Sequence, residues 1–150
     1  MAEDREGRLS NVSGVVTIAA GDSDSLAAGL QRLLERACEE VVVRRAGSAE
    51  SPLAVLLAAL EGSQAERVLV LQAAGPVPSA ELVFALIAWP ERPVVHPAGS
   101  WACAIYRSSE VVPAARACLA EGETAIPALA AKVEASEIGG DDLAAVNEAG

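Results

Sequence analysis

RVLVLQAAGPVPSAELVFALI, residues 67–87, is the stretch whose reading decides the fold. Val68, Leu69, Val70 and Leu71 form a continuous apolar run rather than an alternating one, the pattern of a strand covered on both faces in a parallel sheet. Residues 72–78 interrupt that run with Gly75, Pro76 and Pro78. Ser79 then stands at the N-cap of a helix that places Leu82, Leu86 and Ile87 on one face. Ligands of open α/β sheets sit in the crevice beyond the carboxyl ends of the strands, so residues 72–78 are expected at any active site. They contain no acid, no base and no histidine.

Outward from this unit, the same alternation continues. Residues 1–14 read as a flexible lead-in and residues 15–20, VVTIAA, as a first buried strand ended by Gly21. The following GDSDS is rich in capping side chains, and Leu26, Leu30, Leu33, Leu34 and Ala37 recur at helical spacing, which predicts a helix over 25–38. EVVVR, residues 40–44, is a second strand. Pro52 opens a helix carrying Leu53, Leu56, Leu57 and Leu60, closed by Gly62. Downstream, residues 92–97 and 101–106 are short strands joined by the turn at 98–100. They are expected as an antiparallel pair that adds one antiparallel element near the edge of the sheet. A helix is expected over 111–120 with Pro113 in its first turn and Gly122 just past its end. Thr124 is expected to cap another helix, residues 133–138 to form the last strand, and Asp141 to cap a terminal turn. The expected fold class is α/β: a single domain over residues 15–150, three-layered and Rossmann-like, with a mostly parallel sheet and one antiparallel element.

Composition narrows the function. The 150 residues are 52% hydrophobic but only 3% aromatic, so the core is built from Ala, Val and Leu and little surface exists for base stacking. A formal net charge of −10 repels a phosphate backbone, and Lys132 is the only lysine, which argues against nucleic acid and against a triphosphate grip. Cys38, Cys103 and Cys118 are widely spaced with no CxxC pair, the pattern of buried thiols in a reducing compartment rather than of a zinc site. The charged N-terminus lacks the apolar core of a secretory signal, and no apolar run reaches the length of a membrane span. A cytoplasmic location is expected.

In order, the segments SPLAVLLAAL, RVLVLQAAGPVPSAELV, AIYRSSEVVPAARACLAEGETAIPALAAKV and LAAVN resemble the molybdenum cofactor guanylyltransferase family, over about residues 25–147. The resemblance implies a nucleotide-diphospho-sugar transferase-like sheet and the joining of a GTP-derived nucleotide to molybdopterin, with magnesium bridging the phosphates. Two departures bear on that chemistry. The family's glycine-rich phosphate loop is reduced to Ala19-Ala20-Gly21, after which Asp22 and Asp24 bring two acids and no base. Ala74 stands where the family carries the metal-binding aspartate, so no metal site is expected there.

What remains as a ligand-binding candidate is Gly21 and Asp22, the Pro52-Leu53 entry to a helix, His96 at a strand end as a hydrogen-bond donor, and Asn147, which matches one asparagine of the family's terminal motif. Arg44 and Arg45 are a possible anion pair beside the more ordinary reading of a solvated strand end. Ala74, Pro76, Val77 and Trp101 form an uncharged lining at the strands' carboxyl ends, a candidate protein interface. Trp89, just after a helix, is a second tryptophan suited to covering an apolar patch. The function expected from these departures is a non-catalytic cofactor-handling or protein-binding subunit. It would take no cofactor, and its partner would be another protein, one of molybdenum enzyme assembly or a second copy of itself. The alternative is an active nucleotidyltransferase of molybdopterin guanine dinucleotide biosynthesis, using GTP, with magnesium held by Asp22 or Asp24.

Overall fold

The structure is a computed structural model, and it describes residues 12–18, 24–38, 40–46, 50–63, 65–73, 79–88, 92–97, 101 and 103–138. Its elements are β1 (Val12–Ile18), α1 (Asp24–Glu35), β2 (Glu40–Arg45), α2 (Pro52–Glu61), β3 (Arg67–Gln72), α3 (Ala80–Ala88), β4 (Val94–Pro97), β5 (Cys103–Arg107), α4 (Ser108–Ala120), a 3-10 turn (Ile126–Ala131) and β6 (Ala135–Ile138). The strands form one six-stranded sheet in the order β2-β1-β3-β5-β4-β6. β2, β1 and β3 are mutually parallel, β5 runs against both β3 and β4, and β6 runs parallel to β4.

The pleat divides the side chains between two helical layers. Val12, Val16, Leu69, Leu71, Val95 and Ile105 point to one face and are covered by α1 and α3. Val15, Val68, Val70, Val94, Ala104 and Tyr106 point to the other, beneath α2, α4 and the 3-10 turn. A strand at the centre of such a sandwich is apolar at every position, and Val68, Leu69, Val70 and Leu71 are all buried. Arg67 at the start of β3 donates from Nη2 to the Ile87 carbonyl at 2.8 Å, satisfying an orphan acceptor in the last turn of α3.

Several boundaries differ from those the sequence suggests. β1 begins at Val12, three residues inside the expected lead-in, and is described to Ile18, the expected end at residue 20 lying outside the described residues. Ser13 and Gly14 hid this because neither favours strands, yet both are small enough for the helical layers to press close. A Cβ on Gly14 would sit 3.0 Å from Leu34 Cδ1 and 3.2 Å from Cys38 Sγ. α1 stops at Glu35, not at residue 38. The antiparallel element is β5, and it lies fourth of six strands, between β3 and β4, not near the edge. β4 and β6 start two residues later than expected.

α4 starts at Ser108, directly from β5, so Pro113 lies in the second turn rather than the first. It is tolerated on the exposed side of the helix. The other end follows expectation: Gly122 takes φ +89°, its N–H donating to Leu119 O at 3.0 Å while Glu123 N–H reaches Cys118 O at 2.9 Å. This pair of bonds is the Schellman arrangement, which favours glycine at the left-handed position. Thr124 does not cap a helix, since Ala125 precedes the 3-10 turn and makes no side-chain cap bond. The Thr124 carbonyl instead accepts from Leu53 N–H at 3.1 Å, at the start of α2. The expected terminal turn at Asp141 lies outside the described residues.

Candidate functional site

Because β1 connects outward to β2 while the chain then crosses back to β3 on its other side, the strand order reverses between β1 and β3. The two strands stay paired to their carboxyl ends, where Ala73 N–H donates to Thr17 O, and it is the connections that leave them in opposite directions. A cleft of about 240 Å³ occupies that place, lined by Thr17 and Ile18 from β1, Val70 and Gln72 from β3, Ala46 and Glu50 after β2, Pro52, Val55 and Leu56 from α2, and Ile126 of the 3-10 turn. Its volume equals roughly eight waters at about 30 Å³ each, and it falls below the usual 300–1,000 Å³ of a drug-sized ligand site. Most of the wall is aliphatic. Thr17 and Gln72 supply neutral polar groups, and among the described residues Glu50 is the only charged one in the lining.

The N-terminus of α2 opens beside this cleft, and helix N-termini hold anions when their N–H groups are unsatisfied. Here they are satisfied internally. Pro52 has no N–H, Leu53 N–H goes to Thr124 O, Ala54 N–H goes to Ser51 Oγ at 3.2 Å, and Val55 N–H goes to Ser51 O at 3.0 Å. The N-terminus of α1, at the carboxyl end of β1, carries Asp24 in its first turn, ion-paired with Arg45 at 2.9 Å. Both side chains are mostly solvent-exposed, so the pair adds little stability, and it leaves the Arg45 guanidinium at that helix start matched by a carboxylate.

Arg44 and Arg45, adjacent on a strand, point to opposite faces and cannot clasp one anion together. Arg44 lies over the end of α2, its Nη2 2.9 Å from where a Cβ on Gly62 would be. Among the described residues no group of three His, Cys, Asp or Glu side chains converges as a metal site. Cys38 and Cys103 are not ready nucleophiles either. Burial pushes Cys38 and Cys103 up to about 12, so both stay protonated near neutrality. Burial, and then the neighbouring Cys103, likewise raise the phenol of Tyr106.

Of the residues singled out from sequence, Pro52 lines the cleft, whereas Leu53 turns its side chain into the core and contributes only its backbone. His96 is buried on the α2 and α4 side, its ring stacked on Trp101 with centroids 4.1 Å apart at 26°. Its Nδ1 is 2.8 Å from the Pro97 carbonyl, a bond that requires the proton on Nδ1 and makes Nε2 the acceptor of the neutral ring. Trp101 is half-buried against the same core. Gln72 joins this pair to the cleft through a long contact, Nε2 to the Trp101 carbonyl at 3.5 Å. Gly21, Asp22, Ala74, Pro76, Val77, Trp89 and Asn147 lie outside the described residues. Thr17, Val55, Leu56 and Ile126 were not identified from sequence. A polar residue ending a buried run was the available signal for Gln72, and none marks Ile126, which arrives from a distant segment.

No family profile matches the chain, and no curated protein sequence matches it. Solved structures do. The Aquifex aeolicus protein Aq1419 superposes with a TM-score of 0.66 at 16% identity, over 91% of this chain and 91% of that one. A 2-C-methyl-D-erythritol 4-phosphate cytidylyltransferase from Thermus thermophilus gives 0.62 at 18% identity, over 89% of this chain and 96% of that one. A 4-diphosphocytidyl-2C-methyl-D-erythritol synthase from Anaerococcus prevotii gives 0.64 at 12%, over 92% and 95%. The chain therefore has a nucleotidyltransferase-like, Rossmann-like fold. Among the described residues no helix is long and apolar enough to cross a membrane.

Proposed function

We propose that this chain is a binding protein on a nucleotidyltransferase-like fold and does not itself transfer a nucleotide. The observation that carries this reading is the α2 N-terminus, whose donors are all taken by Thr124, Ser51 and the helix itself beside a cleft whose only charge, among the described residues, is Glu50. Such a cleft suits a neutral heterocycle or an apolar side chain of another protein better than a triphosphate. Fold likeness carries over more safely than chemistry does, and similar sheets host unrelated sites. The finer assignment, a degenerate relative of the molybdenum cofactor guanylyltransferases serving as a cofactor-handling or partner-binding subunit in molybdenum enzyme assembly, is supported by the segment resemblance and by Ala74 at the family's metal-acid position.

A second reading, transfer of a nucleotide from GTP or CTP with magnesium, is favoured by one observation: the cleft lies at the strand-order reversal where α/β sheets bind ligands. Asp22 or Asp24 would have to hold the metal, and Asp24 is already engaged by Arg45. Thermal unfolding with each nucleotide and magnesium separates the two. A ligand at a hundredfold excess over its Kd stabilises by about 2.7 kcal/mol, several degrees in a domain of this size. No shift is expected with GTP or CTP. A clear upward shift with either would overturn the binding-protein reading in favour of the enzyme.

A further inference from the structure

We propose that two copies of this chain associate through β2, edge to edge and antiparallel about a two-fold axis, continuing the sheet across both subunits. This goes beyond the cleft and does not depend on what the cleft binds.

β2 is the terminal strand of the sheet, and among the described residues nothing pairs with its outer side. Natural edge strands are commonly protected by brevity, proline, lysine or a bulge. β6, at the opposite end, is four residues long and carries the exposed Glu137. β2 is six residues long, EVVVRR, with its charges confined to its ends and three consecutive valines, Val41 to Val43, at its centre. Val42 is 43% and Val43 37% exposed, two of the three large hydrophobic side chains left exposed among the described residues.

The backbone fixes which groups face outward. Ala46 N–H donates to Ile18 O, while Ala73 N–H donates to Thr17 O on the other side of β1. Residues of β2 in step with Ala46, namely Arg44, Val42 and Glu40, therefore bond to β1, and Val41, Val43 and Arg45 direct their N–H and C=O groups away from the sheet. An antiparallel copy can pair only residues of like direction. Centred on Val42, that rule sets Val42 against Val42, Val41 against Val43 and Glu40 against Arg44 of the partner subunit.

This register matches opposite charges twice, once on each side of the axis. It also answers an open donor: Arg44 Nε is buried and has no hydrogen-bond partner, while Glu40 is exposed on the same face of the strand. A register centred on Val43 would place Glu40 against Ala46 and forgo both pairs, so the charge pattern selects the first. A second copy is the occupant that fits, because EVVVRR is complementary to its own reverse.

Light scattering and sedimentation of the full chain across a concentration series should show a dimer. Glu40→Arg or Arg44→Glu alone should raise the dissociation constant by roughly tenfold or more, since each sets like charges opposite one another twice, and the double exchange should restore it. Circular dichroism checks that each variant stays folded. Independently, Val42→Cys should form a covalent dimer under mild oxidation, because the non-hydrogen-bonded pair on the axis brings the two Cα atoms to about 4.5 Å. The unsubstituted chain serves as the control for Cys38, Cys103 and Cys118. A protein that is monomeric at every concentration, or a dimer indifferent to all of these substitutions, would overturn the proposal.

Discussion

β3 and β2 read almost alike, RVLVLQ and EVVVRR, each a run of large aliphatic residues between polar ends. In the folded chain they are opposites. Every aliphatic residue of β3 is buried, with strands on both sides and helices on both faces, whereas β2 has a strand on one side only and leaves Val42 and Val43 exposed. The local pattern reports that a stretch tolerates burial on both faces. Whether it receives that burial is decided by where the crossovers carry the chain, since α2 takes the chain back past β1 and puts β3, not β2, at the centre.

The largest effect that tests this contrast is truncation. Leu69→Ala and Leu71→Ala should each cost about 2–5 kcal/mol in urea unfolding, because both are buried in the layer covered by α1 and α3 and leave cavities. Val42→Ala, measured below the concentration at which subunits associate, should stay within about 0.5 kcal/mol. Equal losses would show that β2 is covered in solution. A sharper version keeps shape and adds only a hydroxyl. Val68→Thr should cost about 1–3 kcal/mol for an alcohol buried without a partner, and Val43→Thr close to nothing.

Smaller in energy, but resolved by residue, is amide exchange. In a monomeric Glu40→Arg variant the N–H groups of Val41 and Val43 should exchange rapidly, while those of β3 should require global unfolding. In the dimer Val41 and Val43 should become protected. Unchanged fast exchange of these two amides at high protein concentration would break the link between the outer side of β2 and self-association.

How much of this was legible follows from the same contrast. β3, the crossover alternation and the antiparallel relation of β5 to β4 could be read because each is marked by local periodicity or a tight turn. The insertion of β5 between β3 and β4 could not, since the pairing of Leu69 with Ile105 is a tertiary event with no local trace. Pro113 was misplaced for a subtler reason. Ser108, Ser109 and Glu110 look like a loop, yet they form the helix's first turn with no side-chain cap bond, and Glu110 brings an acid to its positive end.

At the site, Gln72 and Pro52 were foreseeable from the end of a buried run and the start of a helix. Ile126 and the Thr124 carbonyl were not. The segment after α4 folds back onto α2, and Thr124 acts through its backbone, which residue type does not reveal.

The place of β5 also governs the order in which the chain can assemble. β1, β2 and β3 find one another in sequence, so the first 72 residues contain a sheet fragment whose pairings are already complete among themselves. β4 has no such luck in timing: both strands that flank it, β5 and β6, come later in the chain. During synthesis it is made before either neighbour exists, and it cannot dock against β3 because β5 must occupy that position. The C-terminal half can therefore complete its pairings only after β5 and β6 have been made, over the longer separations that join β5 to β3 and β6 to β4, contacts of the kind that slow folding and leave strand edges bare until they form.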